Sequence, residues 1–152
     1  MLVDRHWIEN HIPHQGGMCL LDEVLAWDQV RIRCRSATHR AANNPLRAHG
    51  RLGAACGIEY AAQAMAVHGA LIAVNASVSQ RSAVAGYLAS VRNVALHVNR
   101  LDDLETDLVA SAARVSGDDR MVLYEFSVSS ADRELLSGRA SIVFDTALGV
   151  VP

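Results

Sequence analysis

The sequence predicts an α+β fold in which a curled antiparallel sheet wraps around one long central helix. The helix is predicted because residues 52–74 are the only long run of good helix formers, rich in Ala with Leu, Ile and Met. This run is apolar on nearly every side, so other elements must cover it. The remaining strand-like segments follow one another with short turns, which favours an antiparallel sheet. With 152 residues, of which 51% are hydrophobic, the chain suits a single domain, 1–152.

A short helix and two strands are predicted before the long helix. Residues 4–11 form the short helix, which ends ahead of a Gly-Gly break. Residues 19–28 have the apolar composition of a strand, and residues 30–37 alternate apolar side chains with arginine. Such alternation indicates a strand with one buried and one wet face. Residues 38–50 are polar and turn-rich, so we expect them to form the loop that leads into the long helix.

The long helix has the length of a membrane span, so that alternative has to be weighed. Glu59, Gln63 and His68 lie inside it, however, and the rest of the chain has the pattern of strands in a soluble domain. We therefore expect a buried core helix and no membrane association. Four strands are predicted after the helix, at residues 84–98, 107–115, 120–130 and 134–145.

The composition excludes several functions. The net charge is −2 without a basic patch, so nucleic acid is not an expected partner. The chain has no Lys, which excludes Schiff-base chemistry. Cys19, Cys34 and Cys56 are scattered, as in free buried thiols rather than a disulfide framework or a zinc site. Metal-ligand spacing and a nucleotide-binding glycine loop are both missing, so we expect no metal and no cofactor. The N-terminus lacks a signal-peptide pattern, which predicts a cytoplasmic protein.

Glu59 is the candidate catalytic residue of the long helix, because it is the only acidic residue there. Burial of an unpaired carboxylate is costly and raises its pKa. A carboxyl group that stays neutral near pH 7 can act as a general acid. Gln63 follows one helical turn later, on the same face, where its amide can orient the carboxyl. The alternatives are a Glu at a wet helix edge or one paired with a buried Arg.

His49 is the candidate base, because it lies in the polar loop just ahead of the helix. Backbone N–H groups at the helix start, around Gly57, are suitable donors to an oxyanion formed from a carbonyl. His39, at the start of the same loop, is a rival for the base. For both loop histidines the alternative is a solvated surface side chain. His68 lies on the apolar helix, where a hydrogen-bonded core residue is expected.

Three segments resemble the FabZ-type 3-hydroxyacyl-ACP dehydratases. Residues 12–28 (IPHQGGMCLLDEVLAWD) resemble the opening of that family, which has a Leu-Pro-His element and a leucine-rich strand. Residues 43–50 (NNPLRAHG) and 57–65 (GIEYAAQAM) resemble its loop with the catalytic His and its helix with Glu-x-x-x-Gln. Residues 85–104 resemble the strand and turn that follow. The chain also resembles the ApeP-like group, the predicted hotdog dehydratases of aryl-polyene gene clusters, whose helix has a similar Glu-x-x-x-Gln run.

The resemblance implies a hotdog fold and a dehydratase acting on 3-hydroxyacyl thioesters of acyl carrier protein. His49 would then remove the C2 proton and Glu59 would protonate the C3 hydroxyl, with Gly57 and Gln63 in contact with the substrate. It also implies that two hotdog subunits pair along an edge strand, as a homodimer or a heterodimer, and that His and Glu of one site come from different subunits. The family's His-Phe-Pro-Gly signature is missing, because Gly50-Arg51 follows His49. A hotdog acyl thioesterase and a weakly active partner subunit of a second dehydratase are therefore the alternatives.

Overall fold

A six-stranded antiparallel sheet packed on one long helix makes up the fold over residues 3–14, 16–76 and 86–144, which a computed structural model describes. The strands lie in the order β1-β2-β4-β5-β6-β3, so β1 and β3 are the edges. Every described strand pair is antiparallel. The predicted α+β class and its central helix are confirmed. The elements are α1 Arg5–His11, β1 Glu23–Trp27, β2 Arg31–Ser36, α2 Gly57–Asn75, β3 Gly86–Leu96, β4 Leu108–Gly117, β5 Met121–Ser130 and β6 Arg133–Phe144.

The central helix α2 is buried against the inner face of the sheet. Its apolar side chains share one core cluster with the inward-facing side chains of β5, which alternate with outward-facing ones as the sequence pattern predicts. By length and composition alone, residues 54–75 could cross a membrane, but more than half of the 18-residue apolar window within them is buried inside the subunit, as in a core helix. His68 lies in this core with no exposed surface, and hydrogen bonds to Tyr124 Oη and the Asp28 carbonyl satisfy both of its ring nitrogens. The prediction of a satisfied core histidine is confirmed.

Two predicted boundaries differ from the structure by more than two residues. The helix begins at Gly57, because residues 54–56 form a tighter 3-10 turn ahead of it. Residues 19–22 lie outside any strand, although Leu20 is fully buried as its apolar character requires. The backbone of Leu20 is hydrogen-bonded by side chains, whereas the Asp22 N–H already donates to the Arg35 carbonyl of β2. The Leu20 N–H donates to Gln63 Oε1 (2.9 Å), and the Leu20 carbonyl accepts from Ser36 Oγ (2.5 Å).

The polar loop before α2 is fixed by buried hydrogen bonds. The Tyr60 hydroxyl, on the first turn of α2, lies 2.8 Å from Thr38 Oγ1 and 3.0 Å from Asn44 Nδ2. At the other end of the loop the Leu52 N–H donates to Asp102 (2.8 Å), whose pKa is lowered chiefly by the Arg100 guanidinium. These contacts anchor the helix start at both ends of the loop, so the side chains of its first turn have a defined position.

Candidate functional site

Glu59 lies on the first turn of α2 with its side chain 32% exposed. Two donors converge on one of its oxygens, Oε1. His14 Nε2 lies 3.1 Å from it and Gln63 Nε2 lies 3.2 Å from it. The other oxygen, Oε2, receives no hydrogen bond from the described residues. One carboxylate oxygen is therefore fixed by the protein, and the other is available to a ligand.

The hydrogen bond from His14 lowers the pKa of Glu59 from its ordinary value of 4.5, and this effect outweighs the burial that would raise it. The bond from Gln63 lowers the pKa further. The expectation from the sequence, that burial raises this pKa, is therefore wrong. It treated Glu59 as unpaired, whereas in the structure the group is only half-buried and has two donors. At neutral pH Glu59 is a carboxylate.

Gln63 orients Glu59 from a fully buried position one turn further along α2. Its Nε2 also donates to the Met18 carbonyl (2.8 Å), and its Oε1 accepts from the Leu20 N–H (2.9 Å). The amide thus has fixed partners on both sides, and its orientation cannot reverse without losing them. The structure brings Gln63 to Glu59 as the helical spacing predicts. Its contact with substrate stays a prediction.

His14 is the site residue that reasoning from the sequence did not identify. It follows α1 in the chain and contacts Glu59 on α2, with its side chain 27% exposed. Its second ring nitrogen, Nδ1, is buried and has no hydrogen-bond partner among the described residues. The sequence signal that points to it is the Ile-Pro-His element of residues 12–14, which also contributes to the family resemblance.

The structure brings neither predicted base into hydrogen-bonding contact with Glu59 of the same subunit. His49 is exposed in a tight turn with φ of +54°, and the described residues make no hydrogen bond or ion pair with its ring. His39 is fully buried, with Nε2 3.0 Å from the Leu104 carbonyl. Burial also lowers the pKa of His39. Of the two, only His49 is accessible to a substrate or a second subunit.

Gly57 has a packing role, because its Cα approaches Leu136 of β6 closely. A Cβ at this position would lie 2.5 Å from Leu136 Cδ2. Its N–H already donates to the carbonyls of Ala54 and Ala55 in the 3-10 turn. The prediction of an oxyanion donor among the N–H groups around Gly57 therefore excludes the N–H of Gly57 itself, and it stays a prediction for the neighbouring N–H groups. The turn ahead of the helix, which the sequence pattern did not predict, occupies the N–H.

Neither a disulfide nor a metal-binding group is found among the described residues. All three cysteines are free, and burial raises the pKa of the Cys34 thiol to about 12. Cys19 is buried as well, whereas Cys56 is only half-buried. Within residues 3–14, 16–76 and 86–144 no group of three His, Cys, Asp or Glu side chains is placed to hold a metal ion.

Comparison with known families identifies the family of the chain. Residues 6–148 match the family model of the ApeP-like proteins, described as ApeP dehydratase. The chain belongs to the ApeP-like dehydratase family. The match spans the site from His14 to the end of the sheet. No protein among curated sequences matches the chain.

The fold of this ApeP-like protein is the hotdog fold, as predicted. The dehydratase heterocomplex ApeI:P from Xenorhabdus doucetiae is similar with a TM-score of 0.80 and 19% identity, over 95% of this chain and 97% of that one. A thioesterase from Pseudomonas aeruginosa is similar with a TM-score of 0.61 and 12% identity, over 93% of each chain. The E. coli PaaI protein of the phenylacetic acid degradation operon gives 0.56 and 12%, over 79% and 80%. At these identities the likeness shows the fold alone.

A cavity of about 610 Å³ lies on the sheet face that points away from α2. Outward-facing residues of the central strands line it, among them Ser111, Ser127, Arg33 and Glu125. Glu59, His14 and His49 are not among its lining residues. The candidate site around Glu59 is thus a half-open patch at the start of the central helix, separate from this cavity.

Proposed function

We propose that this protein is a subunit of a dehydratase that removes water from 3-hydroxyacyl thioesters on acyl carrier protein, forming trans-2-enoyl thioesters. The observation that carries the proposal is the fixed, half-exposed carboxylate of Glu59 in a member of a dehydratase family. The reaction would take place in the cytoplasm, in fatty-acid or aryl-polyene-type synthesis. The acyl carrier protein would deliver the substrate.

Dehydration needs two groups, one that removes the C2 proton and one that protonates the departing C3 hydroxyl. Glu59 and His49 are our candidates for this pair. Glu59 presents the free Oε2 from a rigid helix, and His49 presents an exposed imidazole from a loop. General acid–base catalysis of this kind contributes roughly 10²–10⁴-fold in rate. The chemistry needs no metal or cofactor.

We further propose that a second hotdog subunit completes the site. His49 makes no hydrogen bond or ion pair within the described part of its own subunit, so it is available to Glu59 of a partner. Among the described strands, β3 pairs only with β6, and it exposes Leu88, Val94 and Leu96. An exposed apolar edge favours pairing with another chain. The named neighbour ApeI:P is a heterocomplex, which supports a partner of the same fold.

The function is tested by hydration of an enoyl thioester, followed as the loss of its ultraviolet absorbance. We expect Glu59→Gln to lower kcat/KM by about 10²–10⁴-fold, because Gln cannot exchange a proton. Glu134→Gln is the matched control, since Glu134 also pairs with a histidine but on the surface. Full activity in Glu59→Gln would contradict the proposal. Native mass spectrometry with and without a co-expressed hotdog partner distinguishes a homodimer from a heterodimer. Enoyl hydration by the same two samples distinguishes a self-sufficient enzyme from an isolated chain that is inactive until the partner is present.

Thioester hydrolysis is the second candidate function, and the ionised state of Glu59 favours it. A carboxylate with a free oxygen can accept a proton from an attacking water. The structural neighbours also include proteins named thioesterases. Release of free thiol from an acyl thioester, measured with a thiol reagent, would support this function. Loss of enoyl absorbance without thiol release would support the dehydratase.

A further inference from the structure

His49 lies at the tip of a two-residue turn that has the hydrogen bonds of a β-hairpin. The Ala48 N–H donates to the Arg51 carbonyl (2.9 Å), and the Arg51 N–H donates back to the Ala48 carbonyl (3.1 Å). Both central residues have positive φ, +54° at His49 and +77° at Gly50, as a type I′ turn requires. Asn, Asp and Gly are preferred in such turns, because this conformation costs free energy for a residue with a Cβ. Non-glycine residues in this conformation cluster at functional sites.

The Arg47 side chain holds this turn and the start of the polar loop through all three of its guanidinium nitrogens. Nε donates to the Ala41 carbonyl (2.9 Å), Nη1 to the Gly50 carbonyl (3.3 Å) and Nη2 to the Arg40 carbonyl (3.4 Å). The Gly50 carbonyl belongs to the residue directly after His49. Because the guanidinium is a planar and rigid group, three bonds fix its orientation and with it the spacing of the three carbonyls.

The carboxylate of Asp102 connects both sides of the turn to the rest of the domain. Its Oδ2 lies 3.9 Å from Arg47 Nη1 on one side, and its Oδ1 accepts from the Leu52 N–H (2.8 Å) on the other. The side chain of Asp102 is 7% exposed and that of Arg47 is 21% exposed, so water screens this pair less than a surface pair. The Arg100 guanidinium also donates to Asp102, which fixes the carboxylate further.

We propose that Arg47 is a positioning residue that holds the turn of His49 rigid, so that the imidazole meets the substrate at a fixed place. This inference rests on the proposed dehydratase function, in which His49 is the candidate base. The His49 ring makes no hydrogen bond or ion pair within the described part of its subunit, so its position depends on its backbone. A displacement of about 1 Å at a reacting group can cost roughly 10²-fold in rate. Arg47 therefore acts on the rate through the turn, without contact with the substrate.

The test measures kcat, KM and the motion of the turn in Arg47→Met, which keeps an unbranched side chain but removes all three donors. We expect kcat for enoyl hydration to fall by roughly 10–100-fold, with KM within about twofold of wild type. The NMR order parameters of the His49 and Gly50 amides should fall from about 0.85 to below about 0.6. Arg47→Lys keeps the charge without the planar fork and should lose less. Arg35→Met is the matched control, because Arg35 pairs with two carboxylates away from the turn, and it should change neither readout.

Two outcomes in Arg47→Met would overturn the proposal. One is a kcat within about twofold of wild type, and the other is a lowered kcat in a turn that stays rigid. If Arg47→Met does not fold, the same two outcomes in Arg47→Lys overturn it. A turn that becomes mobile, in a protein that never hydrates enoyl thioesters alone or with a hotdog partner, would support the role of Arg47 in the turn and contradict the dehydratase function.

Discussion

Two histidine–glutamate pairs of nearly equal length lie in different surroundings. His14 and Glu59 are 3.1 Å apart with side chains 27% and 32% exposed, whereas His97 and Glu134 are 3.2 Å apart and 47% and 51% exposed. Only the first pair has a buried third partner, the Gln63 amide. Exposed ion pairs contribute little, because water screens them and both side chains must give up conformational freedom. Distance alone therefore does not distinguish a site from a surface contact, but burial and a fixed third group do.

Among the variants that test this comparison, removal of Gln63 should have the largest effect on the free energy of unfolding. Gln63→Leu keeps the volume but leaves the Leu20 N–H and the Met18 carbonyl without their partner. An unsatisfied buried group costs about 1–3 kcal/mol, and Met18 is itself exposed, so we expect the free energy of unfolding to fall by roughly 1–3 kcal/mol in urea denaturation, chiefly through the Leu20 N–H. Gln63→Glu is the control, since it keeps the acceptor for Leu20. Stability within about 0.5 kcal/mol of wild type for Gln63→Leu would show that the pair needs no third group.

Glu59 itself could be predicted from the sequence because helix composition and i+4 spacing are local features. A lone acid in an apolar helix and an amide one turn later lie on one face whatever the rest of the fold does. The central helix and the alternating strands were predictable for the same reason. The His14 contact was not, because it joins the segment after α1 to the first turn of α2. Nothing in the local pattern of either segment specifies that they meet.

The remaining differences also come from contacts that cross the fold. Residues 19–22 have a strand composition, but the Leu20 backbone is hydrogen-bonded by the side chains of Gln63 and Ser36. Apolar composition predicts burial, which Leu20 shows, and it cannot specify which groups satisfy the backbone. The helix α2 begins at Gly57 and not at the predicted residue 52, because a 3-10 turn precedes it and Gly57 approaches Leu136 closely.

The pH dependence of stability should report the lowered pKa of Glu59. The folded pKa of Glu59 lies below its ordinary value of 4.5, so its ionisation stabilises the folded state above pH 4.5. This contribution is lost as the pH falls below 4.5 and through the folded pKa. We therefore expect the stability difference between wild type and Glu59→Gln to be constant from pH 6 to 8 and to shift against wild type below 4.5, by up to about 1 kcal/mol. A difference that grows in favour of wild type as the pH falls would contradict the lowered pKa.

The smallest effect should come from the surface pair. His97→Gln removes the contact with Glu134, but both side chains are about half exposed and water replaces the lost partner. We expect the free energy of unfolding to change by less than about 0.5 kcal/mol, and less again in 1 M salt, where charges on the surface are screened. Urea denaturation at both salt concentrations measures this, with His14→Gln measured alongside. If the two variants lose equal stability and respond equally to salt, the surroundings of the Glu59 pair add nothing to its strength. A larger and less salt-dependent loss in His14→Gln would show that its half-buried position strengthens the pair, since water and ions screen it less.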